Sequence, residues 1–200
     1  MITDSKGDWT STARATWLWI VAVLVGFPVG GGVADLLVDG VDSVGAALAA
    51  GLVAGAIIGA AEWFALRRWV SWAWIVATGV GMPLGLAAGA ALVDYGTDRG
   101  DVVVIGAATG VGVGALQAIV LMRHRVPGAF WWAVANPVAW ALGWFVTSYV
   151  ITTNVEERFP NFGASGALVF GLLTWLLLAV LCRTAAPEVR AARASRSTVR

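Results

Sequence analysis

Residues 43–68 read SVGAALAAGLVAGAIIGAAEWFALRR, an apolar run that ends in one carboxylate and two arginines. Residues 43–61 carry no charge, and about 20 such residues are needed for a helix to cross a hydrocarbon core of about 30 Å. Gly and Ala weaken a helix in water, but in lipid they let helices pack closely. The run therefore predicts a transmembrane helix.

Five further charge-free stretches predict five more transmembrane helices, at residues 16–34, 71–93, 102–122, 128–155 and 162–182. The whole chain is 59% hydrophobic and 12% charged, whereas about a quarter of an ordinary soluble domain is charged. We expect an all-α membrane protein that does not bind nucleic acid. The first stretch ends in small residues, as signal peptides do, but its motif recurs in two later stretches, so we interpret it as a retained helix.

Charged residues divide between the two ends of these helices. Basic residues precede helix 1 and follow helices 2, 4 and 6, whereas the other loops are acidic: Asp35, Asp39 and Asp42, then Asp94, Asp98 and Asp101, then Glu156 and Glu157. Basic loops stay in the cytoplasm, so we predict an inner-membrane protein with a cytoplasmic N-terminal segment (1–15) and a basic cytoplasmic tail (183–200). Tryptophans at the basic end predict an interfacial belt: Trp17, Trp19, Trp69, Trp72, Trp74, Trp131 and Trp132.

Two ladders of residues indicate an internal repeat. Trp19, Trp74 and Trp132 align with one another together with the residues around them, and Glu62, Gln117 and Thr174 align at similar intervals. The six helices are therefore predicted to form three tandem helical hairpins, at about 16–68, 71–124 and 129–183. Because all three hairpins have the same orientation in the membrane, the predicted symmetry is a pseudo-threefold axis along the membrane normal.

The segment GAAEWFALRR at residues 59–68, followed by a helix that begins with tryptophan, resembles a known repeat. A broad group of uncharacterised bacterial multi-pass membrane proteins carries Gln-Trp-x-x-Leu-Arg at this place in its hairpins. The resemblance covers the hairpin repeats and implies the fold alone. This sequence departs from the pattern with Glu62 in place of Gln, with Ala118 in place of the Trp after Gln117, and with no matching Arg in the third copy.

Polar side chains in the cytoplasmic half of the helices are the predicted binding or transport residues: Glu62, Gln117, Thr174, Thr78 and Asn136. Glycines at helical spacing place them on the face that meets protein. Small residues fill the opposite half, so we expect that half to pack tightly around the axis and any cavity to open toward the cytoplasm. A carboxylate within the membrane is by default a functional candidate. The alternatives are that Glu62 snorkels to water and that Gln117 bonds Asn136.

Two further groups of residues have both a functional and a packing interpretation. Trp140 and Trp144 share a helix face with Asn136 and are candidates to line a slot for a flat apolar ligand, with ordinary packing as the alternative. Three helices contain a candidate hinge: Pro28, Pro83 and Pro137. Prolines are also tolerated in membrane helices without any such role.

Enzyme chemistry has no support in the sequence, which holds no metal-ligand cluster, no Ser/His/Asp set and no phosphate-binding loop, and which indicates no cofactor. We predict a non-enzymatic module that binds a small apolar ligand or a membrane partner protein through a cytoplasm-facing cavity. The alternative is a small-solute or ion transporter that uses Glu62 and the other polar residues. An ion channel fits least, because no continuous polar path crosses the outer half of the helices.

Overall fold

The chain folds into α-helices, as the sequence predicts. The structure is a computed structural model that describes residues 12–150 and 164–197, with the side chains of residues 17–149 and 165–181. Within these residues there are six helices: α1 (Thr12–Leu37), α2 (Val44–Leu66), α3 (Ala73–Leu92), α4 (Arg99–Arg123), α5 (Ala129–Val150) and α6 (Ala164–Ser197). The predictions of an all-α fold and of six helices are confirmed.

The helices have the length and composition of membrane spans. Five are long and apolar enough to cross a bilayer: Trp17–Leu37, Val44–Leu66, Ala73–Leu92, Arg99–Arg123 and Ala129–Tyr149. The apolar part of α6 is shorter, at Ser165–Leu181. Large apolar side chains such as Leu52, Leu84 and Leu176 point outward from these helices. Lipid suits such a surface, and the chain is a multi-pass membrane protein.

Four helices, α1, α2, α4 and α6, extend beyond their predicted ends. Helix α2 continues to Leu66, so Glu62 lies inside it, about one turn before its end. Helix α6 continues to Ser197 through most of the predicted tail, whose many Ala and Arg residues are strong helix formers. The predicted helical residues 151–155 and 162–163, and the loop with Glu156 and Glu157, lie outside the described residues.

The helices form a ring in chain order. Each helix contacts the next one, and α6 contacts α1. Glycines occupy the seams of this ring: a Cβ atom added to Gly51 would lie 2.5 Å from Cα of Pro83, and one added to Gly110 would lie 2.6 Å from Cα of Pro137. These glycines let the backbones approach closely, which suits helix packing in lipid. As predicted, the glycine stripes face protein.

Short contacts fix the loops at both ends of the ring. We call the ends of the helices the basic end, with Arg67, Arg68 and Arg123, and the acidic end, with Asp35, Asp94 and Asp98. At the basic end, the Ser71 N–H group donates to Nε2 of His124 at 3.1 Å and so joins two loops. At the acidic end, the Asp98 N–H group donates to Asp101 at 3.2 Å, and the Arg99 guanidinium lies 4.3 Å from the ring centroid of Tyr149.

Candidate functional site

Three tryptophans meet in the interior near the basic end. Trp19, Trp74 and Trp132 come from α1, α3 and α5, and all three are fully buried. Their ring centroids lie 5.8 to 6.4 Å apart, in edge-on and tilted arrangements that suit the charge distribution of aromatic rings. We call this group the tryptophan core.

The tryptophan core corrects one prediction. The structure leaves Trp17, Trp72 and Trp131 exposed, consistent with their place in the predicted interfacial belt, but it buries the three tryptophans of the core. Each helix start carries tryptophans on two faces, and only the outward face meets the interface. The signal was present in the sequence, because the buried three are the ones that align in the repeat.

Each indole of the tryptophan core donates its N–H group to a polar side chain on the neighbouring helix. Trp74 donates to Oε2 of Glu62 at 2.9 Å, and Trp132 donates to Oε1 of Gln117 at 2.8 Å. Trp19 donates to the hydroxyl oxygen of Thr174 at 3.0 Å. A buried indole N–H group can only donate, so each one requires an acceptor at this position.

Gln117 joins two of these pairs into one network. Its Nε2 donates to Oε2 of Glu62 at 2.8 Å and to the hydroxyl oxygen of Thr78 at 2.9 Å. The Trp132 indole fixes the orientation of the Gln117 amide, because its N–H group can donate only to the amide oxygen. The NH₂ group of Gln117 then points toward Glu62 and Thr78. The structure thus brings together four of the predicted site residues, Glu62, Gln117, Thr78 and, through the tryptophan core, Thr174.

Glu62 is 1% exposed, so the alternative in which it snorkels to water is wrong. Both hydrogen bonds that reach its Oε2 come from uncharged groups of the network. Within the described residues, no basic side chain forms an ion pair with it. Buried carboxylates normally have a charged partner or a metal ion. The Glu62 carboxylate instead accepts hydrogen bonds from the neutral side chains of Trp74 and Gln117.

Asn136 adjoins the network without joining it. Its amide donates to the backbone oxygen of Trp132 at 3.0 Å, one turn earlier on α5, and its Oδ1 has no hydrogen-bond partner among the described residues. The predicted hydrogen bond between Gln117 and Asn136 is therefore wrong. Gln117 reaches Glu62 and Trp132 instead, because α2 and α5 both present polar groups to it.

A pocket lies in the other half of the ring, toward the acidic end. The empty space along its walls, measured together with adjoining open solvent, is about 560 Å³. Its wall consists of residues from α1 to α5 at helical spacing, chiefly Phe27 and Gly31, Ala50, Ala54 and Ile58, Met82 and Leu86, and Trp140 and Trp144. Thr109 is the one uncharged polar residue of the wall. Asp35, which is half-buried, lines the pocket at the acidic end together with Val38 and Val41 of the α1–α2 loop, and we call this part of the pocket its mouth.

The position of this pocket is the opposite of the one predicted. The sequence predicts a tightly packed half at the acidic end and a cavity at the basic end, whereas the tryptophan core fills the interior near the basic end. The glycines explain the difference. They face neighbouring helices around the ring, as Gly51 faces Pro83, and so they do not fill the space at its centre. Of the three residues of the predicted slot, Trp140 and Trp144 line this space and Asn136 does not.

The candidate hinge prolines lie inside α1, α3 and α5. Pro83 and Pro137 pack against Gly51 and Gly110 of the preceding helices, which places each proline at a seam of the ring. Whether the helices bend there stays a prediction. Among the described residues, no three His, Cys, Asp or Glu side chains lie close enough to hold a metal ion.

Sequence reasoning missed several residues of the pocket, above all Phe27, Met82 and Asp35. Phe27 packs against Trp140 and Phe170, with ring centroids 5.1 and 5.0 Å away. The i, i+4 spacing of Phe27 with Gly31 and of Met82 with Leu86 was readable, but apolar residues cover every face of these helices and give no reason to select one.

Comparisons of this chain with protein-family models, with curated proteins and with solved structures gave no match.

Proposed function

We propose that this protein is a non-enzymatic membrane module that binds an apolar small molecule in the pocket at its acidic end. The observation that carries the proposal is the pocket itself, which has a wall of aliphatic and aromatic side chains from five helices. Ligand pockets are typically lined in this way, by apolar side chains with a few polar groups. Within the same proposed function, the alternative occupant is a membrane partner protein that inserts an apolar side chain into the pocket.

The proposed architecture is a pseudo-threefold arrangement of three helical hairpins. It is supported by the three equivalent hydrogen bonds from Trp19, Trp74 and Trp132, each to a polar side chain of the preceding helix in the ring. In this arrangement the tryptophan core is a rigid plug near one end, and the three hairpins enclose the pocket above it. The plug stabilises the ring without closing the pocket.

The proposed location is the inner membrane of a bacterial cell, with both termini in the cytoplasm. The positive-inside distribution of Arg67, Arg68 and Arg123 supports this orientation. The pocket then opens on the outer side of the membrane, and its ligand enters from the outer leaflet or from the solution beyond it.

The proposal is tested by filling the pocket. Ala54 lines the pocket from α2, so Ala54→Phe places a ring in the empty space, whereas Leu52→Phe makes a matched change on the exposed face of the same helix. Both variants and the wild type are purified and extracted with organic solvent, and the extracts are analysed by mass spectrometry. We expect one small molecule to accompany the wild type and Leu52→Phe and to be depleted in Ala54→Phe. Equal extracts from all three folded proteins would contradict the proposal.

Transport is the second candidate function, and one feature favours it. Ile58 in the pocket wall lies four residues before Glu62 on α2, so the pocket approaches within about 6 Å, one helical turn, of the buried carboxylate. A shift of the side chains between them joins the pocket to Glu62. In that case Glu62→Gln should fold normally but lose proton flux into proteoliposomes, measured with a trapped pH-sensitive dye. Full flux in this variant removes Glu62 from the mechanism.

A further inference from the structure

The mouth of the pocket carries a charge that fold stability does not explain. Asp35 is the one charged residue in the pocket wall, and it lies in the last turn of α1, which ends at Leu37. The C-terminus of a helix is the negative end of its dipole and favours cations, and the last turn of α1 holds no basic residue. Residues that oppose a local rule in this way occur at functional sites.

The surroundings of Asp35 add to the negative charge. The two described loops at the acidic end also contain Asp39, Asp42, Asp94 and Asp98. Arg99 is the one basic residue in these stretches, and its guanidinium group lies over the ring of Tyr149. A mouth with this charge attracts cations and repels anions.

The wall behind the mouth is suited to the same kind of ligand. Phe27, Trp140 and Trp144 all line the pocket, and aromatic faces attract cations through the negative charge above the ring. Met82 adds a polarisable and adaptable side chain to the wall. An aromatic wall with one carboxylate at its mouth matches a molecule that has a flat apolar body and a positively charged nitrogen.

We propose that the ligand of this pocket is a lipophilic organic cation, whose apolar body lies against Phe27, Trp140 and Trp144 and whose charged nitrogen lies beside Asp35. This inference rests on the proposed binding function and names the class of its ligand. A neutral molecule, such as a lipid chain, is the competing occupant, and the Asp35 carboxylate would not contribute to its binding.

Two probes of nearly identical shape separate these occupants. N-methyl-4-phenylpyridinium is a flat cation, and 4-methylbiphenyl is its neutral analogue. Binding of each is measured by equilibrium dialysis against the full chain in phosphatidylcholine nanodiscs, with empty nanodiscs subtracted. The proteins are the wild type, Asp35→Asn, Ala54→Phe and Asp42→Asn. The last variant removes one charge from the adjoining α1–α2 loop at a residue outside the pocket wall and controls for the general surface potential.

We expect Asp35→Asn to weaken binding of the cation about fivefold, which corresponds to ~1 kcal/mol at 25 °C, and to leave the neutral probe unchanged. Asp42→Asn should leave both probes near their wild-type affinities, and Ala54→Phe should reduce both. Equal effects of Asp35→Asn and Asp42→Asn on the cation would overturn the inference. If the neutral probe binds and is lost in Ala54→Phe while the cation does not bind, the inference fails and the binding function stands. If Ala54→Phe changes neither probe, the binding function fails.

Discussion

Replacing Glu62 tests whether the polar network holds the helices together through hydrogen bonds. Glu62→Met keeps the approximate shape of the side chain but leaves the Trp74 indole N–H and one N–H of Gln117 without an acceptor. Each buried donor left unpaired costs about 1–3 kcal/mol, so the free energy of unfolding should fall by about 2–6 kcal/mol. Interhelical hydrogen bonds in membrane proteins average only about 0.6 kcal/mol, so the loss of two of them sets a lower limit of ~1 kcal/mol on the fall in the free energy of unfolding.

Glu62→Gln should behave differently. Its amide oxygen can accept from both Trp74 and Gln117, so the free energy of unfolding should stay within about 1 kcal/mol of the wild type. The assay is equilibrium unfolding by sodium dodecyl sulfate in mixed micelles, followed by circular dichroism. Leu52→Met, on the exposed face of α2, is the control and should unfold as the wild type does. The reasoning is refuted if Glu62→Met is as stable as the wild type, or if both Glu62 variants lose the same stability.

Two further predictions concern helix packing and topology. Gly85→Ala should lower the free energy of unfolding by about 1–3 kcal/mol, because its Cβ atom would lie 2.6 Å from the backbone of α4. The control is Gly100→Ala, whose Cβ atom would meet nothing within 4 Å and which should be neutral. The same unfolding assay compares the two variants, and equal stability would contradict the packing argument. In a Cys182→Ser background, single cysteines at Asp39 and Asp98 should react with an impermeant thiol reagent in intact cells and one at Ser195 should not; labelling of Ser195 from outside would reverse the proposed orientation.

The sequence predicts the helices well because charge decides where they lie. Every described helix contains most of one charge-free stretch, since a charged side chain at the centre of a bilayer is costly. The polar residues of the site were also predictable, because Glu62, Gln117 and Thr174 stand out against an apolar background. Their burial follows from their place on glycine stripes, which must face protein for the backbones to approach.

The direction in which each helix faces could not be predicted with the same reliability. In a soluble helix the polar face marks the outside, but lipid makes the outside apolar too. Leu52 and Ile58 lie on the same helix and are similar in size and polarity, yet Leu52 is exposed and Ile58 is buried beside the pocket. For the same reason Trp72 and Trp74 look alike in the sequence although one is exposed and the other lies in the tryptophan core.

The position of the pocket depends on which helices pack against each other, and the sequence of a single helix does not show this. A glycine stripe shows that a helix packs closely against something, but it does not show whether the partner is a neighbour in the ring or the helix opposite. Gly51 packs against Pro83 of the adjacent helix, and the centre of the ring is left open beside Ala54 and Trp140. The prediction that the glycine stripes face protein was correct, whereas the predicted tight packing of the acidic half around the axis and the predicted location of the open space were wrong.

The most direct test of the pocket is the accessibility of a single cysteine in its wall. Ala50 lines the pocket, whereas Ala47 is fully buried on the same helix outside the wall. In a Cys182→Ser background, Ala50→Cys and Ala47→Cys are treated with a small, charged methanethiosulfonate reagent in right-side-out and in inside-out vesicles, with a cysteine at Asp39 as the reference for sidedness. We predict that Ala50→Cys reacts from the side on which Asp39 reacts and not from the other, and that Ala47→Cys reacts from neither side. Ala50→Cys that is as unreactive as Ala47→Cys, or that reacts from the basic end, would contradict a pocket that opens at the acidic end.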